Sequence, residues 1–327
     1  MKKKSSMKGM MKKVVCFAAA ITLMASLAAC SGAGEEPVSE EPVQTSQEPA
    51  EQPAEEPDAE QPETTSNFDA SKPIVVVSRE DGSGTRGAFI ELFEIEEEGE
   101  DGSKKDMTTK EAVIAKQTDV MMTNVAGDTY AIGYISLGSM NGTIKAVAID
   151  GVEASTDNVK NGSYTVMRPF NIATKGEPSK LAADFIAYIM SAEGQAVIGE
   201  SYIPVVDGAP AFEGGKEKGK IVVAGSSSVT PIMEKLKEAY IALNPDADIE
   251  IQMSDSSAGI TAAIDGNCDI AMASRELKDT EQGLTPTKIA LDGIAVIVNN
   301  ENPAADMTKD QVKSIFTGAV TEWSGIS

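Results

Sequence analysis

The run Ser78-Arg-Glu-Asp-Gly-Ser-Gly-Thr-Arg-Gly87 stands between an apolar stretch, residues 74–77, and a helical pattern carried by Phe89, Leu92 and Phe93. The order reads as strand, glycine turn and helix start. A helix N-terminus leaves backbone N–H groups unpaired and carries partial positive charge. Here it comes with the hydroxyls of Ser83 and Thr85 and the guanidinium groups of Arg79 and Arg86. That combination suits an oxyanion. Gly82, Gly84 and Gly87 also spell G-x-G-x-x-G, which marks a dinucleotide turn when a second strand ends in an acid about 20 residues on. Residues 94–106 instead read as a polar, mostly acidic loop, and Arg79 with Asp81 suits a compact inorganic anion better than a pyrophosphate. Taken alone, the three glycines also fit an ordinary turn.

Three more apolar runs end in hydroxyl-rich turns. Residues 221–224 precede Gly225-Ser226-Ser227-Ser228, residues 248–253 precede Ser254-Asp255-Ser256-Ser257-Ala258-Gly259, and residues 269–272 precede Ala273-Ser274-Arg275-Glu276. Any one of these serines could be a plain helix N-cap; several beside an arginine-bearing turn suggest a shared site. Further strands are expected over 131–135, 144–149, 164–172 and 289–298. Helices are expected over 181–192, 229–243 and 258–265, the second with Val229, Ile232, Met233, Leu236 and Tyr240 on one face. Alternating strands and helices imply α/β lobes with largely parallel sheets, whose ligands sit beyond the carboxyl ends of the strands.

Composition narrows the chemistry. The chain has 327 residues, a formal charge of -23, no histidine and 3 cysteines. Without histidine there is no Ser-His or Cys-His pair and no histidine metal site. The acidic balance argues against nucleic acid as a partner. Six lysines between Lys2 and Lys13 precede an apolar stretch, 14–29, that ends in Leu27-Ala28-Ala29-Cys30. This reads as a secretory leader over residues 1–29, too short to span a membrane. Residues 31–71 contain no Lys or Arg and are rich in Glu, Pro, Gln, Ser and Thr, so 30–70 reads as an acidic tether. Cys16 would leave with the leader, and Cys268, in an apolar run, reads as a small buried hydrophobe.

With those segments on the page, Leu27-Ala-Ala-Cys30 resembles the site at which bacterial lipoprotein precursors are lipidated, which would make Cys30 the mature N-terminus. Residues 71–327 resemble the phosphate-binding lipoproteins of ABC phosphate importers, a branch of the two-lobed, type II periplasmic solute-binding proteins. The carriers of the resemblance are residues 77–89, Gly225-Ser-Ser-Ser-Val-Thr-Pro231, Asp269-Ile-Ala-Met-Ala-Ser-Arg-Glu-Leu277, residues 289–298, and Ile315-Phe-Thr-Gly318 with Trp323. Against the family order the chain reads as circularly permuted, the part like 219–327 coming first in the family and the part like 71–212 second. The resemblance implies one lobe from about 71–162 plus 300–327 and another from about 163–299. It places the phosphate site on Arg79, Ser83, Gly84, Thr85, Ser227, Ser228 and Ser256, with Asp81 bracing the arginine.

One departure bears on the ligand. Where many members have an aspartate that accepts a proton from hydrogen phosphate, this chain has Arg275, so Asp81, Arg86, Asp255 and Arg275 are additional candidates, with Glu276 as another possible acceptor. The resemblance implies an extracytoplasmic, lipid-anchored receptor, with no cofactor, metal or catalysis, that captures inorganic phosphate for the membrane permease subunits of an ABC importer. Competing readings are a binder of sulfate or molybdate, an adhesion or signalling domain on the same fold, and a secreted enzyme.

Overall fold

The computed structural model describes residues 68–99 and 104–326. The leader, Cys30 and the tether up to residue 67 lie outside the described residues. In chain order the strands are β1 (Val75–Arg79), β2 (Glu96–Glu98), β3 (Lys104–Asp106), β4 (Val113–Ala115), β5 (Ala131–Ser136), β6 (Ile144–Ile149), β7 (Met167–Lys175), β8 (Ile203–Pro204), β9 (Gly219–Ser226), β10 (Ala247–Ser254), β11 (Ile270–Ala273), β12 (Leu284–Asn299) and β13 (Asp306–Met307). The helices are α1 (Gly84–Leu92), α2 (Thr118–Ala126), α3 (Thr156–Lys160), α4 (Lys180–Ile189), α5 (Ala192–Gly199), α6 (Thr230–Leu243), α7 (Ser256–Asp265) and α8 (Lys309–Phe316).

One continuous sheet path runs β10-β9-β11-β7-β12-β5-β1-β4. Its flanks are parallel, β1 with β4 and β5 at one end and β9 with β10 and β11 at the other. Its middle is antiparallel, because β7 pairs with β11 and β12, and β12 pairs with β5. The reason lies in two separate hydrophobic cores. Val166, just before β7, belongs to the first and Phe170 to the second; on β12, Ala290 belongs to the second and Ile294 to the first. The two long strands therefore cross between the cores in opposite directions.

Aromatic packing holds the first core, where Phe89 stacks on Tyr134 with ring centroids 3.8 Å apart and meets Phe316 edge-on. In the second, α6 buries Ile232, Met233, Leu236 and Tyr240 completely, the face expected from its periodicity. Each such side chain contributes at most about 1.5–3 kcal/mol.

Three local expectations change. Residues 94–106 are not simply loop, because β2 and β3 pair antiparallel within them. The helix expected over 181–192 divides at Met190: Ser191 accepts the Gly194 N–H while its hydroxyl donates to the Tyr188 carbonyl, which ends α4 and starts α5. No helix follows β11 directly, so Ser274 and Arg275 lie in a strand-to-loop turn. At the edge of the first core the two ends of the folded region meet. The Ile74 N–H donates to the Thr321 carbonyl at 2.8 Å, and the Ser324 N–H to the Ala70 carbonyl at 2.7 Å.

Candidate functional site

β1 carries Arg79 into the interior, where the residue is 1 % exposed. Tyr134 of the neighbouring β5 fixes this strand end. Its hydroxyl accepts the Arg79 backbone N–H at 3.1 Å and shares a 2.9 Å hydrogen bond with Ser78 Oγ, while its ring stacks on Phe89 of α1. Burial pushes the Tyr134 hydroxyl above its ordinary pKa, with the Ser78 hydrogen bond offsetting part of the rise, so it stays protonated.

The Arg79 guanidinium is held on one side and free to direct on the other. Glu80 takes Nε and Nη2 at 2.9 and 2.8 Å, and the Ala115 carbonyl takes Nε at 3.1 Å. Nη2 also donates to Ser227 Oγ at 3.1 Å, and Nη1 reaches Thr118 Oγ1 at 3.5 Å. Thr118 in turn lies 3.3 Å from both Ser227 Oγ and Ser228 Oγ, and Ser228 Oγ is 2.8 Å from Thr85 Oγ1. Arg79, Thr85, Thr118, Ser227 and Ser228 thus form one buried ring. Its members come from β1, α1 and α2 on the first core and from the β9–α6 turn on the second.

The local sequence explains why these hydroxyls are available. The N-cap of α6 is Val229, which makes no side-chain cap bond, and the N-cap of α7 is Asp255, which accepts the Ala258 N–H at 2.8 Å. Ser227, Ser228 and Ser256 therefore do not cap a helix. Ser83 does, accepting the Arg86 N–H at 3.3 Å, so its oxygen is partly engaged although the residue is buried. Gly84 makes the second contact across the site. A Cβ there would stand 2.4 Å from Ser256 Oγ and 2.8 Å from Ser274 Oγ, so any larger residue would force these two hydroxyls to move.

Among the described residues, none of the additional candidates hydrogen-bonds to a ring hydroxyl or to the Arg79 guanidinium. Asp81 is exposed and pairs with Arg86 at 3.1 Å, so it is Glu80 that braces Arg79. Arg86 is further engaged by Asp106 and by the Arg79 carbonyl. Asp255 is a cap and packs against Gly82. Arg275 is gripped by both oxygens of Glu281, at 2.8 and 2.6 Å, and donates to Ser257. Burial alone would raise the Glu281 carboxyl, but its hydrogen bonds to Arg275 and to the Lys278 N–H bring it below its ordinary value. Glu276 accepts from Asn171 and its side chain is 66 % exposed.

Thr118 and Glu80 were missed by sequence reasoning, and Ser274 was read only as part of a hydroxyl-rich turn. Thr118 carries the same signal as the serines, a hydroxyl opening a helix after a strand, but β4 is only three residues long and gives no periodicity to read. Chemically, the ring offers donors from hydroxyls and one guanidinium, with helix N-termini behind them, and no carboxylate among its five members. It can enclose a dehydrated oxyanion.

A family model described as the PBP superfamily domain matches residues 59–193 and 210–325. "Phosphate-binding protein PstS 2" of Streptococcus agalactiae is 53 % identical over 266 residues, 80 % of this chain and 90 % of that protein. The protein of the same name from Streptococcus pneumoniae is 46 % identical over 264 residues, again 80 % and 90 %. A crystal structure of a phosphate ABC transporter, phosphate-binding protein from S. pneumoniae has a TM-score of 0.63 at 45 % identity, covering 78 % of this chain and all of that one. Matches of this extent mean that the streptococcal proteins carry their segments in the order found here. The "Phosphate-binding protein PstS" of Bacillus subtilis, at 32 % identity, is matched over 46 % of its length.

Proposed function

We propose, for a chain that belongs to the PBP superfamily, that it captures inorganic phosphate between two lobes outside the cytoplasm and delivers it to the permease subunits of an ABC importer. The observation that carries the reading is the buried ring of Arg79, Thr85, Thr118, Ser227 and Ser228, assembled from both cores. Phosphate would replace the hydroxyl-to-hydroxyl contacts with charge-assisted hydrogen bonds, Ser256 and the N–H groups opening α1 and α7 completing its shell. Glu80 leaves Arg79 close to charge-neutral as a pair, so the anion is recognised mainly by direction and number of donors. Closure of the lobes about β7 and β12 would enclose the ligand.

On this reading the protein performs no chemistry. The hydroxyls of the ring have no base beside them, and Glu80 is committed to Arg79. The leader, the lipid on Cys30 and the acidic tether would hold the receptor at the outer face of the membrane and give it reach. Titration calorimetry of the full chain with phosphate, sulfate and molybdate tests the assignment. Phosphate should give saturable heat at one site per chain; heat with sulfate or molybdate and none with phosphate overturns the ligand, and no heat with any of them overturns the receptor reading.

A further inference from the structure

Among the described residues, the buried side-chain oxygens and nitrogens without a hydrogen-bond partner are Ser136 Oγ, Ser139 Oγ, Tyr202 OH, and Nε and Nη1 of Arg168. Arg168, Ser136 and Tyr202 gather around one carboxylate, Asp292, and Ser139 joins them through Tyr202. Asp292 is 1 % exposed and takes a single bond from Arg168, Nη2 to Oδ2 at 3.1 Å, together with the Gly138 N–H at 3.3 Å, while Ser136 Oγ lies near enough to lower the carboxyl pKa without meeting hydrogen-bond geometry. Ser136 and Ser139 stand beside the Tyr202 hydroxyl, near enough to offset part of its burial yet outside hydrogen-bond geometry. Burial pushes the Asp292 carboxyl up to about 6 against the pull of Arg168, and it lowers the Arg168 guanidinium as well. The Arg168 guanidinium also lies over the Phe170 ring, 5.3 Å from its centroid.

The place of this cluster is informative. Arg168 and Asp292 are direct cross-strand partners on β7 and β12, at the step where both strands pass from one core to the other. Ser136 ends β5 beside the first core, Ser139 ends the 3-10 turn that follows it, and Tyr202 belongs to the second core. Buried donors and acceptors are almost always paired in folded proteins. Here the exceptions coincide with the crossing that lobe motion must bend.

We propose that Arg168, Asp292 and Tyr202 form a polar joint that disfavours the closed arrangement, because opening lets these groups pair with water or with one another. The joint acts at a distance from the ligand. Its members are positioning residues that set how much of the free protein is closed, and through that fraction the apparent affinity for the anion. This rests on the lobe closure proposed above for its first readout and on the phosphate ligand for its second.

Tyr202→Phe removes one unpaired group without changing shape. The experiment attaches spin labels at Lys116→Cys and Gln252→Cys, exposed positions on the two sides of the cleft, and measures the distance distribution without ligand; phosphate affinity is then measured by calorimetry. The expected result is a larger closed population and about fivefold tighter phosphate binding, with Ser139→Ala moving both in the same direction. Asp292→Asn, which strips Arg168 of its counter-charge, should shift both the opposite way. A merely structural flaw would behave differently: Tyr202→Phe and Ser139→Ala would raise the melting temperature and leave both the distance distribution and the affinity unchanged. That result overturns the joint. Absence of phosphate binding in every form, with the distances shifting as described, would overturn the ligand and leave the joint standing.

Discussion

Arg79 meets the ring with its charge already answered by Glu80, so its contribution to a ligand lies in two aimed N–H groups as much as in charge. Arg79→Ala should weaken phosphate binding by about 1.5–3 kcal/mol, the worth of a charge-assisted hydrogen bond, or about tenfold to 150-fold in Kd. Thr118→Val keeps the shape and deletes one neutral partner, so its cost should be smaller, about 0.5–1.5 kcal/mol. Calorimetry on the two variants ranks them, and a larger loss at Thr118 would contradict the part given to Arg79. Thr85, Ser227 and Ser228 of the ring were legible because their type and their place after strands announce the chemistry, and Thr118 was not, because the three-residue β4 before it gives no period. Which of two adjacent acids braces Arg79 was not. Glu80 and Asp81 have the same charge, and only the fold turns one back onto Arg79 and the other out to Arg86.

At the scale of elements, glycine decides how closely α7 approaches β9. A Cβ at Gly259 would stand 2.5 Å from Gly225 Cα and 2.6 Å from the Ala224 carbonyl, both backbone atoms that cannot step aside. Gly259→Ala should therefore destabilise by about 1–3 kcal/mol, a drop in melting temperature of about 2–4 °C for each of them. Because α7 also carries Ser256, phosphate affinity should fall with it; a variant that melts lower but binds unchanged would remove Ser256 from the site. The turn after β11 offers a pH test. The Glu281 carboxyl lies below its ordinary value in the folded protein, so the Arg275 pairing stabilises at neutral pH and fades as pH falls through the folded-state pKa. Melting of Glu281→Gln and of the unaltered chain should differ at pH 7 and converge in acid. That pairing was invisible in the sequence, where Arg275 looked like part of a hydroxyl-rich helix start, because the six-residue return to Glu281 has no helical or strand period. Amphipathic α6, by contrast, was readable in full from its spacing.

For the molecule as a whole, the single sheet joining both cores was not legible in the sequence, since β7 and β12 mix Arg168, Pro169, Asn171, Pro286, Lys288 and Asp292 with their apolar residues and no local pattern specifies their pairing partners. The structure shows where connections could be moved. Residues 70–74 lie hydrogen-bonded against 321–324, and the Trp323 indole donates to the Tyr130 carbonyl at 3.1 Å, so a short bridge between these ends would disturb no packing. The opposite junction is equally permissive near Gly208, which has positive φ and nothing within 4 Å of where a Cβ would stand. Connections at exposed points can be moved while contacts survive. A chain rearranged to begin at Gly208, run to Ile326, and continue through a short Gly/Ser bridge into residues 70–207 should fold with the same circular dichroism spectrum and bind phosphate with unchanged affinity. A rearranged chain that folds and fails to bind would mean that the β8–β9 connection itself, and not only the contacts it spans, brings the ring's two halves into register.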